Sequence, residues 1–266
     1  MDYGIQLYSI RDLAKENFEE GFLDDSPIRG KCGGSGYVGR EMCACLAELC
    51  RQEQKKDLTL LAAGDLTAVN FEGNLVSAPY GSATGSAPPE LMTALKNAGV
   101  DLVQVANSYT IKNGVSGMIS TIQTIRSAGF ETMGAYLDQN DFAQTGGYTI
   151  RKVQGVKVAV VAFTKGMDSM TLPAGAESCV NLLYEDYASA YQKVATDSIT
   201  KLLRSVAKEK PDLTVALLHW GSEFNDTISN SQVKIRDLML EKGVDAIIGT
   251  HSHYVQKMEF NPEAGT

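Results

Sequence analysis

The three histidines of this chain all follow apolar runs. His219 closes the run TVALLH, and His251 and His253 lie at the end of AIIGTHSH. On an extended segment, residues i and i+2 point to the same face, so His251 and His253 could bind one metal ion or two adjacent ions. Imidazole nitrogens are ordinary ligands of zinc, manganese and iron. The alternative is that these histidines are hydrogen-bonded strand-end residues without a metal.

Other polar side chains occupy the same kind of position. Asn70 and Glu72 follow the run LTAV, and Asn107 follows VDLVQVA. Each could simply end a strand, and Asp65 after a glycine could belong to a turn. Carboxylate and amide oxygens nevertheless complete the donor types that such metals use. The candidate metal ligands are Glu72, Asn107, His219, His251 and His253, with Asp65 and Asn70 as weaker candidates.

The elements that must position these residues alternate along the chain. We predict strands at LTLLAA (from Leu58), LTAVNF, VDLVQVAN, ETMGAY, DLTVALLHW and VDAIIGTHSHYV, and a hairpin at YTIRKVQGVKVAVVAFT that turns at Gln154-Gly155. Helices are predicted at ELMTALKNAG, VSGMISTIQTIRSAG, YASAYQKVATDSITKLLRSVAKEK and SNSQVKIRDLMLEKG, the last capped by Asn230 or Ser231. Continuous apolar strands between helices are typical of a sheet buried on both faces. Ligands of such α/β sheets bind beyond the carboxyl ends of the strands, where the candidate residues lie.

The composition indicates an ordinary globular protein. The chain has 266 residues, of which 44% are hydrophobic and 21% charged. A net charge of -8 argues against a nucleic-acid partner. The sequence has no apolar stretch of the roughly 18 residues that a membrane span needs. MDYGIQLYSIRDL lacks the basic start of a signal peptide, so the sequence favours a cytoplasmic location.

Residues 1–56 differ from the rest of the chain. They are rich in charge and glycine and then form a predicted helix, EMCACLAELCRQEQKK. We interpret them as an atypical N-terminal segment packed on a domain of residues 57–266, and we expect no metal ligand from them because no strand-ending Asp-x-His occurs there. The five cysteines are predicted to be reduced thiols, because an odd number does not fit a simple disulfide framework. They are Cys32, Cys43, Cys45, Cys50 and Cys179.

Five segments resemble the bacterial capsule-synthesis CapA family, which includes poly-gamma-glutamate biosynthesis proteins. In order they are VNFEGNL, PPELMTALKNAGVDLVQVANSYTIKNG, VKVAVVAFT, LLHWGSEF and GVDAIIGTHSHYVQKMEF. The resemblance implies a calcineurin-like metallophosphatase fold, an α/β sandwich of mostly parallel sheets covered by helices. It also implies a further strand pair after His-x-His, so a truncated C-terminus is expected, and a location at the cell surface.

The resemblance assigns roles to individual residues. Glu72 matches the acid of the family's Asn-x-Glu segment, and Asn107 the first asparagine of its Ala-Asn-Asn-His segment. His219 matches its His-Trp-Gly strand, and His251 and His253 match its closing His-x-His. This implies one or two divalent ions (Mn, Zn, Fe or Mg) and hydrolysis of a phosphoester or related ester, with Asn107 and His219 as catalytic residues.

Two departures from the family pattern concern the site. Tyr109 stands where the family has histidine, and a phenol with a pKa of about 10 is a poor general acid at neutral pH. Asp65 fits the lead-in to the Asn-x-Glu segment better than the family's earlier Gly-Asp strand, which has no counterpart in the first 56 residues. We therefore expect a partly retained site, with Tyr109 as a further weak candidate.

Three functions remain open on this basis. The leading one is a CapA-like protein of capsule or poly-gamma-glutamate biosynthesis with a divalent-metal hydrolase site. The second is an inactive binding or scaffold protein that uses the same cleft for a polyanionic or glutamyl ligand. The third is a different metal-dependent phosphoesterase, such as a nucleotidase. The expected partner is a small-molecule or polymer substrate, either a phosphoester or poly-glutamate.

Overall fold

The structure is a computed structural model that describes residues 5–9, 64–81 and 83–259. The chain forms two compact units, Met1–Val103 with Tyr109–Thr132, and Gln104–Ser108 with Met133–Thr266. Several predictions lie outside the described residues: the strand LTLLAA, the helix EMCACLAELCRQEQKK, the boundary between residues 56 and 57, and every cysteine except Cys179.

The first sheet has the strand order β1-β2-β3-β4. Its strands are β1 (Ile5–Ser9), β2 (Leu66–Asn70), β3 (Leu102–Gln104) and β4 (Glu131–Met133). β1 and β2 pair in parallel, although the sequence analysis predicted no strand at β1. Helix α1 (Leu91–Asn97) precedes β3, and helix α2 (Gly114–Ser127) follows it. All residues of β2 and β3 are buried, as their continuous apolar runs predict.

The second sheet has the order β5-β6-β7-β8. Its strands are β5 (Thr149–Val153), β6 (Val156–Thr164), β7 (Leu213–His219) and β8 (Ala246–Thr250). β5 and β6 form the predicted antiparallel hairpin, and β7 pairs in parallel with both β6 and β8. The register places Thr164 opposite His219, and His219 opposite Thr250. The carboxyl ends of β6, β7 and β8 therefore meet at one edge of the sheet.

Two long helices pack against the second sheet. Helix α4 (Thr196–Lys208) precedes β7, and helix α5 (Asn230–Glu241) precedes β8, as parallel pairing requires of its crossovers. α4 buries Ile199, Leu203 and Val206, which share one helical face, and α5 buries Ile235 and Met239. These residues join the buried side chains of β6 and β7 in one apolar cluster. The predicted α/β class, with mostly parallel sheets and covering helices, is confirmed.

The structure corrects the predicted start of α4. The sequence pattern suggested a helix from residue 187, but the helix begins at Thr196. The Asp186 carboxylate accepts hydrogen bonds from the backbone N–H groups of Gln192 and Lys193 and closes a turn there. Tyr191 has a backbone φ of 52°, which no right-handed helix contains. A side-chain hydrogen bond thus replaces the helical turn that the apolar spacing suggested.

Two further helix predictions need correction. The N-cap of α5 is Ser229, one or two residues earlier than predicted, and it forms a capping box with Gln232. Helix α3 (Gln139–Thr145) was not predicted because it is short and buries no residue completely. The Asp138 side chain starts it by accepting from the backbone N–H of Asp141. In the described part of the chain, no helix has the length and apolar character needed to cross a membrane.

Candidate metal centre

The carboxyl edge of the second sheet brings histidines from two strands together. β7 ends at His219, and His251 directly follows the end of β8. His219 is completely buried, and only 5% of His251 is exposed. Their ring centroids lie 4.5 Å apart. Parallel pairing of β7 with β8 is what makes these two rings neighbours.

The backbone of the His-x-His segment is not extended. His251 and His253 have φ angles of 91° and 53°, in the left-handed region. This corrects the expectation that strand alternation directs both side chains to one face. Their ring centroids are 6.5 Å apart. Such conformations cost on the order of 1–3 kcal/mol for residues other than glycine, and they concentrate at functional sites.

Two hydroxyl groups orient the His219 ring. Nε2 lies 3.1 Å from Ser108 Oγ, and Nδ1 lies 3.2 Å from Thr250 Oγ1. Each hydroxyl group can donate or accept, so the donor and acceptor roles at the two ring nitrogens depend on the tautomer. Metal-binding histidines usually donate their second ring N–H to an oxygen, a role that Thr250 can fill at Nδ1. The sequence analysis missed Ser108 and Thr250, because hydroxyl residues near strand ends are too common to single out.

Asn107 belongs to the same unit as the histidines. It is completely buried and directly precedes Ser108. The backbone before it is held by hydrogen bonds from Val105 N to Met133 O and from the Gln104 side chain to Ala106 O. These bonds fix the short segment that carries Asn107 and the hydroxyl partner of His219.

An acidic and an aromatic side chain lie beside His251 and His253. Glu223 Oε1 lies 4.0 Å from His251 Nδ1 and 3.8 Å from His253 Nε2. The Phe224 ring stacks on His253, with centroids 5.0 Å apart and planes at 19°. The sequence analysis assigned no role to either residue. The signal that could have found Glu223 is a carboxylate four positions after His219 in LLHWGSEF.

Lys165 borders the loop that carries Glu223. It follows Thr164, which pairs with His219 in the sheet. Its Nζ donates to the carbonyl oxygen of Gly221 at 2.9 Å. Burial lowers the pKa of Lys165, and the negative charges of Glu223 and Asp168 act in the opposite direction. The Lys165 side chain therefore holds the first turn of the loop after β7 through this hydrogen bond.

The remaining predicted residues belong to the first unit. Asn70 is completely buried, and its Nδ2 donates to Glu72 Oε1 at 3.0 Å. Asp65 lies just before β2, and the Tyr109 ring centroid is 5.5 Å from Lys112 Nζ. Asn70 and Glu72 are therefore hydrogen-bonded to each other. Convergence of Glu72 on the histidines stays a prediction.

The donor types in the second unit suit a divalent ion. Imidazole nitrogens, a carboxylate and an amide oxygen are the ligands that zinc and manganese use. Within the described ranges, however, no three His, Cys, Asp or Glu side chains are arranged tightly enough to hold an ion. The disagreement is one of spacing, since Glu223 lies about 4 Å from both histidines.

The family assignment follows from comparison with known proteins. Residues 52–264 match the family described as bacterial capsule synthesis protein PGA_cap. The chain belongs to this family. This match confirms the resemblance identified in the sequence.

Two relatives in this family illustrate the extent of the match. The chain is 28% identical to the capsule biosynthesis protein CapA of Bacillus anthracis over 65% of this chain and 40% of that protein. It is 25% identical to the PGA biosynthesis protein CapA of Bacillus subtilis over 64% of this chain and 41% of that protein. The chain therefore matches about two fifths of the length of these relatives.

Among solved structures, the fold is similar to that of a putative 5'-nucleotidase from Staphylococcus aureus. The TM-score is 0.46 at 12% sequence identity, covering 77% of this chain and 39% of that chain. At this similarity the comparison says nothing about activity.

Proposed function

We propose that this chain is a CapA-like protein of capsule or poly-gamma-glutamate biosynthesis and that it carries a divalent-metal hydrolase site. Family membership supports the biosynthetic role. The observation that carries the hydrolase proposal is the meeting of His219 and His251, with ring centroids 4.5 Å apart, at the carboxyl edge of the sheet. This edge is where α/β sheets bind their ligands.

Each residue of the candidate centre has a role in this proposal. His219, His251 and His253 would hold the ion, with Asn107 and Glu72 as further ligands from the sequence analysis. A bound divalent ion would stabilise the negative charge that develops during ester hydrolysis. Thr250 fixes the orientation of the His219 ring through Nδ1, and complete burial of His219 keeps its ring away from bulk water.

Tyr109 sets the expected substrate range. General acid catalysis typically contributes about 10²- to 10⁴-fold, and a tyrosine supplies it poorly at neutral pH. Alkyl phosphates need a proton donor for their leaving group, whereas activated aryl phosphates do not. We therefore propose slow hydrolysis with a strong preference for aryl over alkyl esters. Replacing Tyr109→His is expected to raise the rate on alkyl esters.

The test combines metal analysis with two substrates. Elemental analysis and calorimetry measure the divalent ion that the purified chain binds, and aryl and alkyl phosphates are assayed in parallel. His251→Ala is compared with Asn230→Ala, a control at an exposed position at the start of α5. We expect His251→Ala alone to lose metal affinity and activity. Equal metal binding by both variants would contradict the metal centre, and rapid alkyl-ester hydrolysis by the unmodified chain would contradict the impaired site. An unmodified chain with neither metal nor activity would favour the scaffold function.

The Ser108 hydroxyl supports a second candidate, covalent hydrolysis without a metal. Its Oγ lies 3.1 Å from His219 Nε2, the distance of a nucleophile from its general base, and Thr250 orients the other ring nitrogen. In this reading His219 takes the serine proton as Oγ attacks the acyl or phosphoryl centre. The bond to the leaving group breaks, the leaving group receives that proton from His219, and water then hydrolyses the serine ester. Loss of hydrolysis in Ser108→Ala with unchanged activity after metal chelation would favour this candidate.

A further inference from the structure

Helix α4 carries three basic side chains along its outer face. Lys201, Arg204 and Lys208 are exposed, and their separations of three and four positions place them on one side of the helix. Ile199 and Leu203 lie on the opposite side and pack into the apolar cluster of the second sheet. With a rise of about 1.5 Å per residue, the three basic positions span about 10 Å along the helix axis. These three residues form the basic stripe.

The acids of the second unit do not neutralise the basic stripe. Among the described residues, none of its three side chains takes part in an ion pair or a side-chain hydrogen bond. Other basic residues of the same unit do have acidic partners, and these pairs are Lys157 with Glu209, Arg236 with Asp237 and Glu259, and Lys242 with Glu241. The stripe therefore keeps three positive charges at the surface of a chain whose 32 acidic residues outnumber its 24 basic ones.

Two acids flank the stripe, one at each end of α4. Asp197 lies in the first turn of the helix, where the helix dipole favours a negative charge. Glu209 directly follows the helix, and its carboxylate lies 3.4 Å from Lys157 Nζ and 3.2 Å from the Tyr148 hydroxyl. The middle and the last turn of the outer face therefore stay positive.

The course of α4 orients the stripe relative to the candidate metal centre. The residue before the helix is tied to the carboxyl edge of the sheet, because Ala195 N donates to Leu183 O and Leu183 N donates to Thr164 O, both at 2.9 Å. Thr164 pairs with His219 in the sheet. As part of the crossover between parallel strands β6 and β7, α4 runs back towards the amino edge. The stripe therefore begins at Lys201 near the edge that carries the histidines and leads away from it.

The arrangement of the charges suits a linear polyanion. Each exposed ion pair is weak by itself, so a ligand with repeated negative groups gains by contacting several cations at once. Helix α4 contains no aromatic side chain on which a nucleic-acid base could stack. The net charge of -8 does not prevent these contacts, because charges more than about 8 Å away are largely screened at physiological ionic strength. A polymer of carboxylates is therefore favoured over a nucleic acid.

We propose that the basic stripe binds an anionic polymer of the poly-glutamate type through the carboxylates of the polymer. The inference rests on the proposed role in capsule or poly-gamma-glutamate biosynthesis, and it names the surface that holds the polymer. It does not depend on a metal ion, since the stripe lies outside the candidate metal centre. A polymer that follows the stripe extends to the carboxyl edge of the sheet, where α/β folds bind their ligands.

The test measures binding of fluorescently labelled poly-gamma-glutamate to the full chain by anisotropy. The stripe variant combines Lys201→Gln, Arg204→Gln and Lys208→Gln. The matched control combines Lys234→Gln, Arg236→Gln and Lys242→Gln, which remove the same three charges from α5 and the residue that follows Glu241. We expect the stripe variant to bind at least about 10-fold more weakly, because three weak ion pairs are lost together. The control should bind within about 2-fold of the unmodified chain, and added salt should weaken binding.

Each outcome decides a separate point. Absent binding by the unmodified chain, or equal losses in the stripe variant and the control, overturns the stripe as a polymer site. Equally tight binding of duplex DNA overturns the assignment to a carboxylate polymer. The double variant Lys201→Arg with Lys208→Arg keeps the charges and should keep the affinity, so a loss there would contradict the role of charge.

The hydrolase site of the proposed function is judged by other measurements. Metal content and aryl-phosphate hydrolysis of the stripe variant should equal those of the unmodified chain, which also shows that the variant is folded. Absence of both in the unmodified chain contradicts the hydrolase site and leaves the stripe standing. Loss of both in the stripe variant alone contradicts a binding role confined to the outer face of α4.

Discussion

The contact between Thr250 and His219 allows a sharp test of the candidate metal centre. Replacing Thr250→Val exchanges the hydroxyl group for a methyl group of similar size. Valine keeps the β-branched shape that suits strand β8. The change therefore removes the partner that lies 3.2 Å from His219 Nδ1 and leaves the ring otherwise in place.

The magnitude follows from the role of this hydrogen bond. A neutral hydrogen bond of this kind stabilises a fold by about 0.5–1.5 kcal/mol, so the loss of unfolding free energy should stay in that range. Loss of the partner that orients a metal-binding histidine typically costs about 10- to 100-fold in metal affinity. That corresponds to about 1.4–2.7 kcal/mol of binding free energy. The effect on metal binding should therefore exceed the effect on stability.

The assay is calorimetric titration with manganese or zinc, together with chemical unfolding. Thr214→Val is the matched control, because Thr214 is also buried in a strand but lies near the other end of β7. We expect it to leave metal affinity unchanged. The reasoning is refuted if Thr250→Val binds metal as tightly as Thr214→Val while His219→Ala does not bind. His219 would then be oriented by other contacts.

Three further predictions concern the rest of the second unit. Ser229→Ala should lower the unfolding free energy by about 0.5–2 kcal/mol in denaturant titrations, because the capping box of α5 is lost; an effect no larger than that of Asn230→Ala would contradict this. Burial raises the pKa of the Cys179 thiol, so peptide mapping should show slow alkylation at neutral pH in the native protein and fast alkylation in denaturant. The backbone N–H of Gln192 lowers the pKa of the Asp186 carboxyl below its usual 3.8, so the stabilising contribution of Asp186 is present above that value and is lost as the pH falls through the lowered pKa. In Asp186→Asn, hydrogen exchange at Gln192 should be faster at neutral pH and approach that of the unmodified chain in acid; equal exchange at neutral pH would contradict the turn.

The fold class and part of the site could be predicted from local patterns. Runs such as VAVVAF are apolar at every position, as in a strand that is buried on both faces. The turn at Gln154-Gly155 and the helices that follow proline or precede glycine are likewise determined by neighbours in sequence. His219 at the end of such a run must lie at the carboxyl edge of its sheet. These inferences hold because side-chain period and turn chemistry act within a few residues.

Other features depend on which strands pair and in which register. Ser108 and His219 are 111 positions apart, and no local pattern marks the serine as the partner of that ring. The late start of α4 depends on the Asp186 carboxylate, which competes with the helix for backbone N–H groups. The spacing of apolar residues in the sequence does not reveal that competition for backbone N–H groups.

The directions of the closing histidines were likewise decided by tertiary structure. The sequence places His251 and His253 after a strand, but their left-handed backbone replaces the strand alternation that the pattern suggested. Gln256, which accepts a hydrogen bond from Gln232 of α5, donates to Asn225 O and so joins the loop that carries Glu223 to the segment after β8. The sequence alone determined the donor types and the edge of the sheet where they gather. Their relative directions depend on contacts between distant loops, which form only once the parallel strands are paired.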